Sequence, residues 1–410
     1  MLTPSPGTPR RAAVIFIFIT VMLDMLALGM VIPVLPKLIE TFRGGDTALA
    51  AKTFGLFNTV WAAMQFGVSP IIGALSDRYG RRPIVLLSNF GLGLDYILMA
   101  MAPSLRWLFV GRVISGITSA SIPTAFAYIS DVTPPAARPK AFGLMGAAFG
   151  IGFILGPAIG GILGDYGPRL PFWFAAGFSL TNAMYGLFVL PESLPPERRR
   201  GVQWRKANPV GSLVLLRSHP QLTGFAIVHF LYQLAHQSLQ SVFVLYAGFR
   251  YGWGPKGVGM ALAGVGISQA IIQATVVGPF VAKVGERRTL LMGLLAGATG
   301  FSIYALAPTG PLFMIGVPIM AWWGLYGPSA QGLMTRRVDP HEQGQLQGAL
   351  QSVTGITGLI GPGLFTTTFA WFISRHRGWQ VPGAPFLLAS SLLVVAAVIA
   401  WRITKPGLHA

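Results

Sequence analysis

Twelve stretches of roughly twenty or more mostly apolar residues, each long enough to cross about 30 Å of hydrocarbon, constrain this chain more than anything else in it. They fall at 13–36, 54–75, 83–102, 105–130, 141–164 and 170–190, then at 221–249, 257–280, 289–307, 311–334, 346–373 and 384–402. Membrane-barrel strands would alternate apolar and polar residues over about ten positions, so these unbroken runs predict helices. The first run follows Arg10 and Arg11 but is too long for a secretory signal, contains Asp24 and lacks a small-residue cleavage pattern, so it reads as a retained helix. The expected fold is an all-α membrane protein with twelve transmembrane helices.

Charge is scarce, at 10% of residues, where a soluble domain carries about 25%. The formal net charge of +18 would suggest nucleic acid in a soluble protein; here it first has to be located relative to the bilayer. An even number of spans puts both termini on one side. With that side cytoplasmic, about two thirds of the Lys and Arg residues fall in inner segments, as the positive-inside rule requires. This predicts a multi-pass protein of the inner membrane with both termini cytoplasmic, and no nucleic-acid partner. The basic stretch from Arg198 to Lys206 is expected to set topology, with anionic lipid as the alternative. There is no Cys, nucleotide-binding loop, metal-ligand cluster or nucleophile triad. Neither cofactor nor metal is expected, and an enzyme is disfavoured.

The second half of the chain repeats the first. GALSDRYGRR from Gly73 has a weaker copy, GPFVAKVGERR, from Gly278, an offset of 205 residues. At that offset Gly80 matches Gly285, Pro103 matches Pro308, Gly111 matches Gly316 and Gly143 matches Gly348. The pair Gly156-Pro157 likewise matches Gly361-Pro362. The predicted organisation is a six-helix half over 1–190, a linker rich in Pro and Arg over 191–220, and a second six-helix half over 221–410.

These features and several motifs carry a family resemblance. GALSDRYGRRP matches the loop between helices 2 and 3 of the major facilitator superfamily, whose two parallel six-helix repeats bind substrate between the halves. GIGFILGPAIGG (Gly150 to Gly161) resembles the fifth-helix motif of its proton-coupled drug exporters. VMLDMLALGMVIPVLP, LGLDYILMA, GRVISGITSA, FRYGW and EQGQLQGALQSVTGITGLIGP together resemble the tetracycline-exporter group. That resemblance implies proton-coupled efflux of a small amphipathic drug-like compound by a monomer. Two other readings stay open from the residues themselves: a proton-coupled uptake symporter for an organic anion held by Arg112, and a non-transporting membrane receptor. The sequence departs from the group at two points. Its helix 9 aspartate aligns with Gly297 and its helix 8 histidine with Gln269.

Three charges lie inside apolar runs, where an ionisable residue is a functional candidate by default. Asp95 and Arg112 are equidistant from the Pro103-Ser104 turn, so an antiparallel hairpin puts them at similar depth and predicts an ion pair. Asp24 is near mid-depth in the first helix. A carboxyl group there is poised between a neutral form that tolerates low dielectric and an ionised form that needs a partner. The expectation is that Asp24 exchanges its proton for substrate while Arg112 alternates between Asp24 and Asp95.

For the loop motif, Gly73 and Gly80 permit a tight turn, Asp77 can accept hydrogen bonds at a helix N-terminus, and Arg78, Arg81 and Arg82 face the cytoplasm. The resemblance implies that Asp77 and Arg81 latch against helix 11, with Asp131 and Arg138 joining the gate. In the second copy Ala282 replaces the aspartate and Glu286 replaces the first arginine of the pair. In the fifth helix Gly152, Gly156, Gly160 and Gly161 allow close packing and Pro157 favours a kink, so the segment is expected to act as a hinge. Helix 7 carries His229, Gln233, His236, Gln237 and Gln240, mostly on one face. With Gln65, Gln269, Gln273 and Gln331 these are the candidate substrate contacts, and Trp322, Trp323, Tyr326, Phe365 and Trp371 are candidate aromatic walls.

Overall fold

In the computed structural model, residues 8–119, 122–199, 201, 208–339, 342–374 and 380–405 are described. Most of the basic stretch singled out in the linker, Arg200 and residues 202–207, lies outside them. The helices are α1 (Thr8–Val31), α2 (Leu35–Phe42), α3 (Thr47–Tyr79), α4 (Arg81–Met101), α5 (Leu105–Thr118), α6 (Ile122–Val132), α7 (Arg138–Tyr166) and α8 (Leu170–Val189). After the linker come α9 (Leu215–Ser218), α10 (Pro220–Tyr251), α11 (Pro255–Ile271), α12 (Val277–Val284), α13 (Glu286–Leu306), α14 (Gly310–Ala321), α15 (Tyr326–Thr335), α16 (Gln343–Ile373) and α17 (Ala384–Ile403).

Each predicted run is met by one helix or a broken pair. Ten spans among the described residues are long and apolar enough to cross a membrane. The other two predicted runs depart for visible reasons. Helix α10 has the length but carries the His and Gln stripe. The run 311–334 is divided by a 3-10 turn at Trp322–Leu325, between α14 and α15. The eighth span holds a π-helical turn, Ile272–Val276, between α11 and α12.

The repeat is visible in local geometry. Helices α4 and α13 are both 21 residues long, each begins after a glycine with positive φ, Gly80 (104°) and Gly285 (83°), and each ends before an alanine, Ala102 and Ala307. A side chain at either glycine would be strained whatever the space around it.

Contacts divide the chain into two compact units: Met1–Leu38, Val60–Pro209 and Pro255–Ala263 in the first, and Ile39–Thr59, Val210–Gly254 and Gly264–Ala410 in the second. In the first, Phe16, Ile17, Val21, Met25, Tyr128 and Met145 form a buried core. In the second, Tyr246, Tyr304, Phe313 and Phe386 interlock, with Tyr304 and Phe313 stacked at 4.1 Å between ring centres. Exposed apolar side chains such as Leu87, Phe90, Trp173, Phe188 and Val394 cover the outer faces, as expected of helices that meet lipid.

In the first unit α1 lies against α7 through small residues. A Cβ on Gly156 would come 2.8 Å from Gly29 Cα and Leu26 O, and one on Gly152 would come 2.6 Å from Met25 Cβ. Gly160 lies as close to the Met30 backbone. Another face of α7 takes the start of α11, where a Cβ on Gly161 would meet Pro255 O at 2.5 Å. At Gly156, Gly160 and Gly161 the contacts are backbone to backbone, which only glycine allows.

Candidate functional site

The first unit collects the membrane charges. Asp24 on α1 accepts a hydrogen bond from Asn182 Nδ2 on α8 at 3.0 Å, and the same amide donates to Thr20 O at 3.1 Å. Asn182 is fully buried, so it fixes the carboxyl group from the closed side. Asp95 on α4 is 1% exposed and Arg112 on α5 is 7% exposed. Tyr96 lies within electrostatic reach of Asp24, Asp95 and Arg112 together, so the structure does gather the three charges. The predicted direct pairing takes another form. Both Asp95 carboxylate oxygens are buried without a hydrogen-bond partner, while the Arg112 guanidinium lies 5.2 Å from the centre of the Trp61 ring. Asp95 and Arg112 therefore interact through space, the cation being held partly by an indole face.

At one end of that unit the loop motif builds an ion cluster. Arg81 Nη1 meets Asp77 Oδ1 at 2.6 Å, and its Nε meets Asp131 Oδ2 at 3.2 Å. Ser76 and Ser193 hydroxyls join Arg81 and Asp131 respectively. Glu192, missed in the sequence, caps α4: Oε1 accepts from Arg81 N at 2.9 Å and Oε2 from Arg82 N at 3.3 Å. Arg82 Nη2 donates to Leu187 O at 2.6 Å. Arg138 donates to Ser130 O and Thr133 O, and so ties the α6–α7 turn without meeting the acids of the cluster. Arg78 points outward over Tyr79, and Gly73 O accepts from Ser76 Oγ.

The second unit holds the polar and aromatic cluster. His229 Nε2 and Gln233 Nε2 both reach Thr354 Oγ1 on α16, at 3.3 and 2.9 Å, and His229 Nδ1 lies 3.3 Å from Tyr326 OH. Tyr326 stacks on Tyr232 with ring centres 3.8 Å apart. His236 meets Trp323 edge-on at 5.4 Å, and Tyr232 lies 4.9 Å from the same indole. Gln237 packs against Gly361, and Gln269 packs against Gly324 in the 3-10 turn. The remaining candidates are not gathered here. Gln273 is exposed in the π-helical turn, Gln331 is half-buried on α15, Gln240 is exposed, and Gln65 is half-buried on α3 in the first unit. Of the predicted walls, Phe365 is fully buried, Trp371 is 53% exposed and Trp322 packs on Phe280.

The two departures from the resembled group converge on one element. A Cβ on Gly297 would lie 2.6 Å from Trp323 Cδ1 and 2.8 Å from Leu393 Cδ1, so an indole fills the place of a helix 9 carboxylate. Gln269 and Gly297 thus both abut the turn Trp322–Leu325. A mid-span 3-10 turn of this kind is a common mark of a functional hinge. Among the described residues no group of three or more His, Asp or Glu side chains is placed to hold a metal ion.

Comparison with known proteins agrees with this architecture. The sequence profile of the Major Facilitator Superfamily matches residues 17–362 and, overlapping, 225–409. The class C tetracycline resistance protein of Escherichia coli is 37% identical over 378 residues, which cover 92% of this chain and 95% of that protein. The class B protein of Escherichia coli is 36% identical over 362 residues, 87% of this chain and 88% of that one. A point mutant of the nucleoside transporter NupG superposes with a TM-score of 0.80 over 96% of this chain and all of that chain, at 14% identity, a likeness of fold. The chain belongs to the Major Facilitator Superfamily, in the tetracycline-exporter-like group of its drug:proton antiporters, and is a multi-pass membrane transporter rather than an enzyme.

Proposed function

We propose that the protein exports a small amphipathic, drug-like compound across the cytoplasmic membrane in exchange for protons, by alternating access between the halves 1–190 and 221–410. In this reading it works as a monomer with both termini and the linker 191–220 cytoplasmic. Asp24 carries the proton, while Arg112 and Asp95 form the electrostatic counterweight. The observation that carries the reading is the setting of Asp24: among the described residues its hydrogen-bond partner is the neutral Asn182, with charges of both signs around the adjacent Tyr96. A carboxyl group so placed can be neutral or ionised without breaking an ion pair of its own. Each proton moving down the potential supplies about 2.3 kcal/mol per 100 mV, enough to bias the return step.

On the substrate side the reading assigns His229, Gln233, His236, Gln237 and Gln269 to hydrogen bonding, with Tyr232, Trp323 and Tyr326 as aromatic walls. Gln65, Gln273 and Gln331 come into play only in another state of the cycle. Because Trp323 fills the space beside Gly297, the ligand is held by rings and hydrogen bonds, and its binding is independent of magnesium. The gate role falls to Gly73, Asp77, Arg78, Gly80, Arg81, Arg82, Asp131 and Arg138, and the hinge role to Gly152, Gly156, Pro157, Gly160 and Gly161.

Inverted vesicles test this. An imposed proton gradient should drive substrate accumulation with proton release, and Asp24→Asn should abolish that accumulation while leaving substrate binding within about threefold. Full gradient-driven transport by Asp24→Asn would overturn the proton assignment. Movement of substrate and proton in the same direction would overturn export.

A further inference from the structure

The internal repeat exposes a site that the first unit fills with its own chain and that stays open among the described residues of the second. At the offset of 205 residues Arg81 corresponds to Glu286, and Asp131 to Arg336. Arg81 pairs with Asp131, and Glu286 pairs with Arg336. The ion pair between the two helices is thus kept with its polarity reversed. In the first unit a second anion completes the arrangement. Glu192, three residues beyond the end of α8, brings its carboxylate to the backbone of Arg81 and Arg82.

Helix α17 takes the place of α8 in the second unit, but the residues that follow it are Thr404 and Lys405, a hydroxyl and a cation. Thr404 Oγ1 accepts from Arg287 Nε at 3.1 Å. No residue from Thr404 to Ala410 is acidic. What stands there is a cavity of about 430 Å³ lined by Val284, Gly285, Leu333, the Glu286–Arg336 pair, and Arg287, Arg288 and Arg337. Four guanidinium groups face one carboxylate. The crowding has a cost: burial lowers Arg337 from its ordinary value, with Arg336 pushing the same way and Glu286 opposing. Arg337 is steadied by Leu333 O, to which its Nη1 donates, and by the Phe225 ring, 4.6 Å from its Cζ.

We propose that this cavity binds a phosphate-bearing anion, which does for the second unit what Glu192 does for the first. Planar guanidinium forks match phosphate oxygens in geometry and charge, so an arginine-lined cavity favours phosphate over a monovalent carboxylate. Two sources share that chemistry, an anionic phospholipid headgroup and free phosphate. The setting favours the lipid. The cavity lies at the ends of apolar helices, and on α17, one turn before the Thr404 that meets Arg287, Trp401 carries Lys405 Nζ 3.9 Å from its ring centre, the aromatic and basic pairing of a headgroup layer.

Native mass spectrometry of the full chain, released from mixed micelles with phosphatidylglycerol or phosphatidylcholine of identical acyl chains, tests the site. The wild type should retain phosphatidylglycerol about tenfold better, and Arg287→Gln with Arg337→Gln should bring the two lipids to near parity. Arg106→Gln, an exposed arginine on α5 in the first unit, should leave the preference unchanged. Arg288→Gln, at an exposed position, gives the same reading if the double variant does not fold, with a loss of about threefold. In a parallel arm inorganic phosphate is titrated against thermal unfolding. Arginine-dependent protection by phosphate without lipid preference would assign the site to soluble phosphate. Equal retention of both lipids by the wild type, together with no phosphate protection, would overturn the proposal. So would a preference untouched by the arginine substitutions.

Discussion

Glycine 297 shows how one side chain can displace the chemistry expected of a family. Its missing Cβ is occupied on two sides, by Trp323 and Leu393. Gly297→Asp therefore has to displace a buried indole and bring a carboxylate into an apolar contact. Overpacking of this kind costs about 1–3 kcal/mol, and an unpaired buried polar group adds to it. The expected outcome is a clear fall in the thermal midpoint of the purified protein, with no gain of magnesium-dependent binding. Combining it with Trp323→Ala should destabilise less than the two effects added, because the second change opens the space that the first needs. Simple additivity would show that the two side chains do not compete. Asp24, Asp95 and Arg112 were legible in the sequence because a charge inside an apolar run is conspicuous. Their partners were not. Asn182 is a neutral amide in one such run, and only the packing of α8 on α1 brings it to Asp24.

Helix ends and helix seams carry the next level of organisation. Helix α4 starts just after a positive-φ position that only glycine serves without strain, and its first amides are met by a carboxylate from 111 residues away. Loss of such a cap costs about 1–2 kcal/mol. Glu192→Ala should lower the thermal midpoint accordingly, whereas Glu192→Gln, which keeps one acceptor, should recover part of it. If both variants melt like the wild type, Glu192 does not hold α4. The seam between α1 and α7 predicts a larger effect: Gly156→Val places branched carbon against the Gly29 and Leu26 backbone, which cannot yield as a side chain can. Expression and monodispersity should fall together. At this scale the sequence was readable where unbroken apolar length spoke, which is why all twelve runs met helices. It was silent on the breaks at Ile272–Val276 and Trp322–Leu325, because backbone hydrogen bonding there answers to neighbouring helices. Glu192 stayed hidden for a related reason, since in a Pro- and Arg-rich linker a lone glutamate looks like any solvated charge.

At the scale of the molecule, the repeat at an offset of 205 residues carries both a likeness and an asymmetry. The charge-inverted pairs Arg81–Asp131 and Glu286–Arg336 predict different tolerance to exchange. Swapping the second pair, Glu286→Arg with Arg336→Glu, should recover most of the stability lost by either single change. The same exchange at the first pair should not, because Arg81 also serves Asp77 and Ser76. Residues Pro255–Ala263, the start of α11, belong by contact with the first unit, while the rest of that helix belongs with the second. Lys256 N donates to Asp165 Oδ1 at 3.2 Å beside the Gly161 and Gly259 contact. The contacts of this one helix are thus shared between the two units, and the proposed alternating access between the halves 1–190 and 221–410 would require its start to leave α7 and return. The chain contains no Cys, so Asp165→Cys with Lys256→Cys gives a defined pair for a short thiol-specific cross-linker. Cross-linking should stop gradient-driven transport by more than about tenfold, reduction of a cleavable linker should restore it, and each single variant should be insensitive. Undiminished turnover in the cross-linked protein would mean that α7 and the start of α11 move as one body, and that the cycle opens elsewhere.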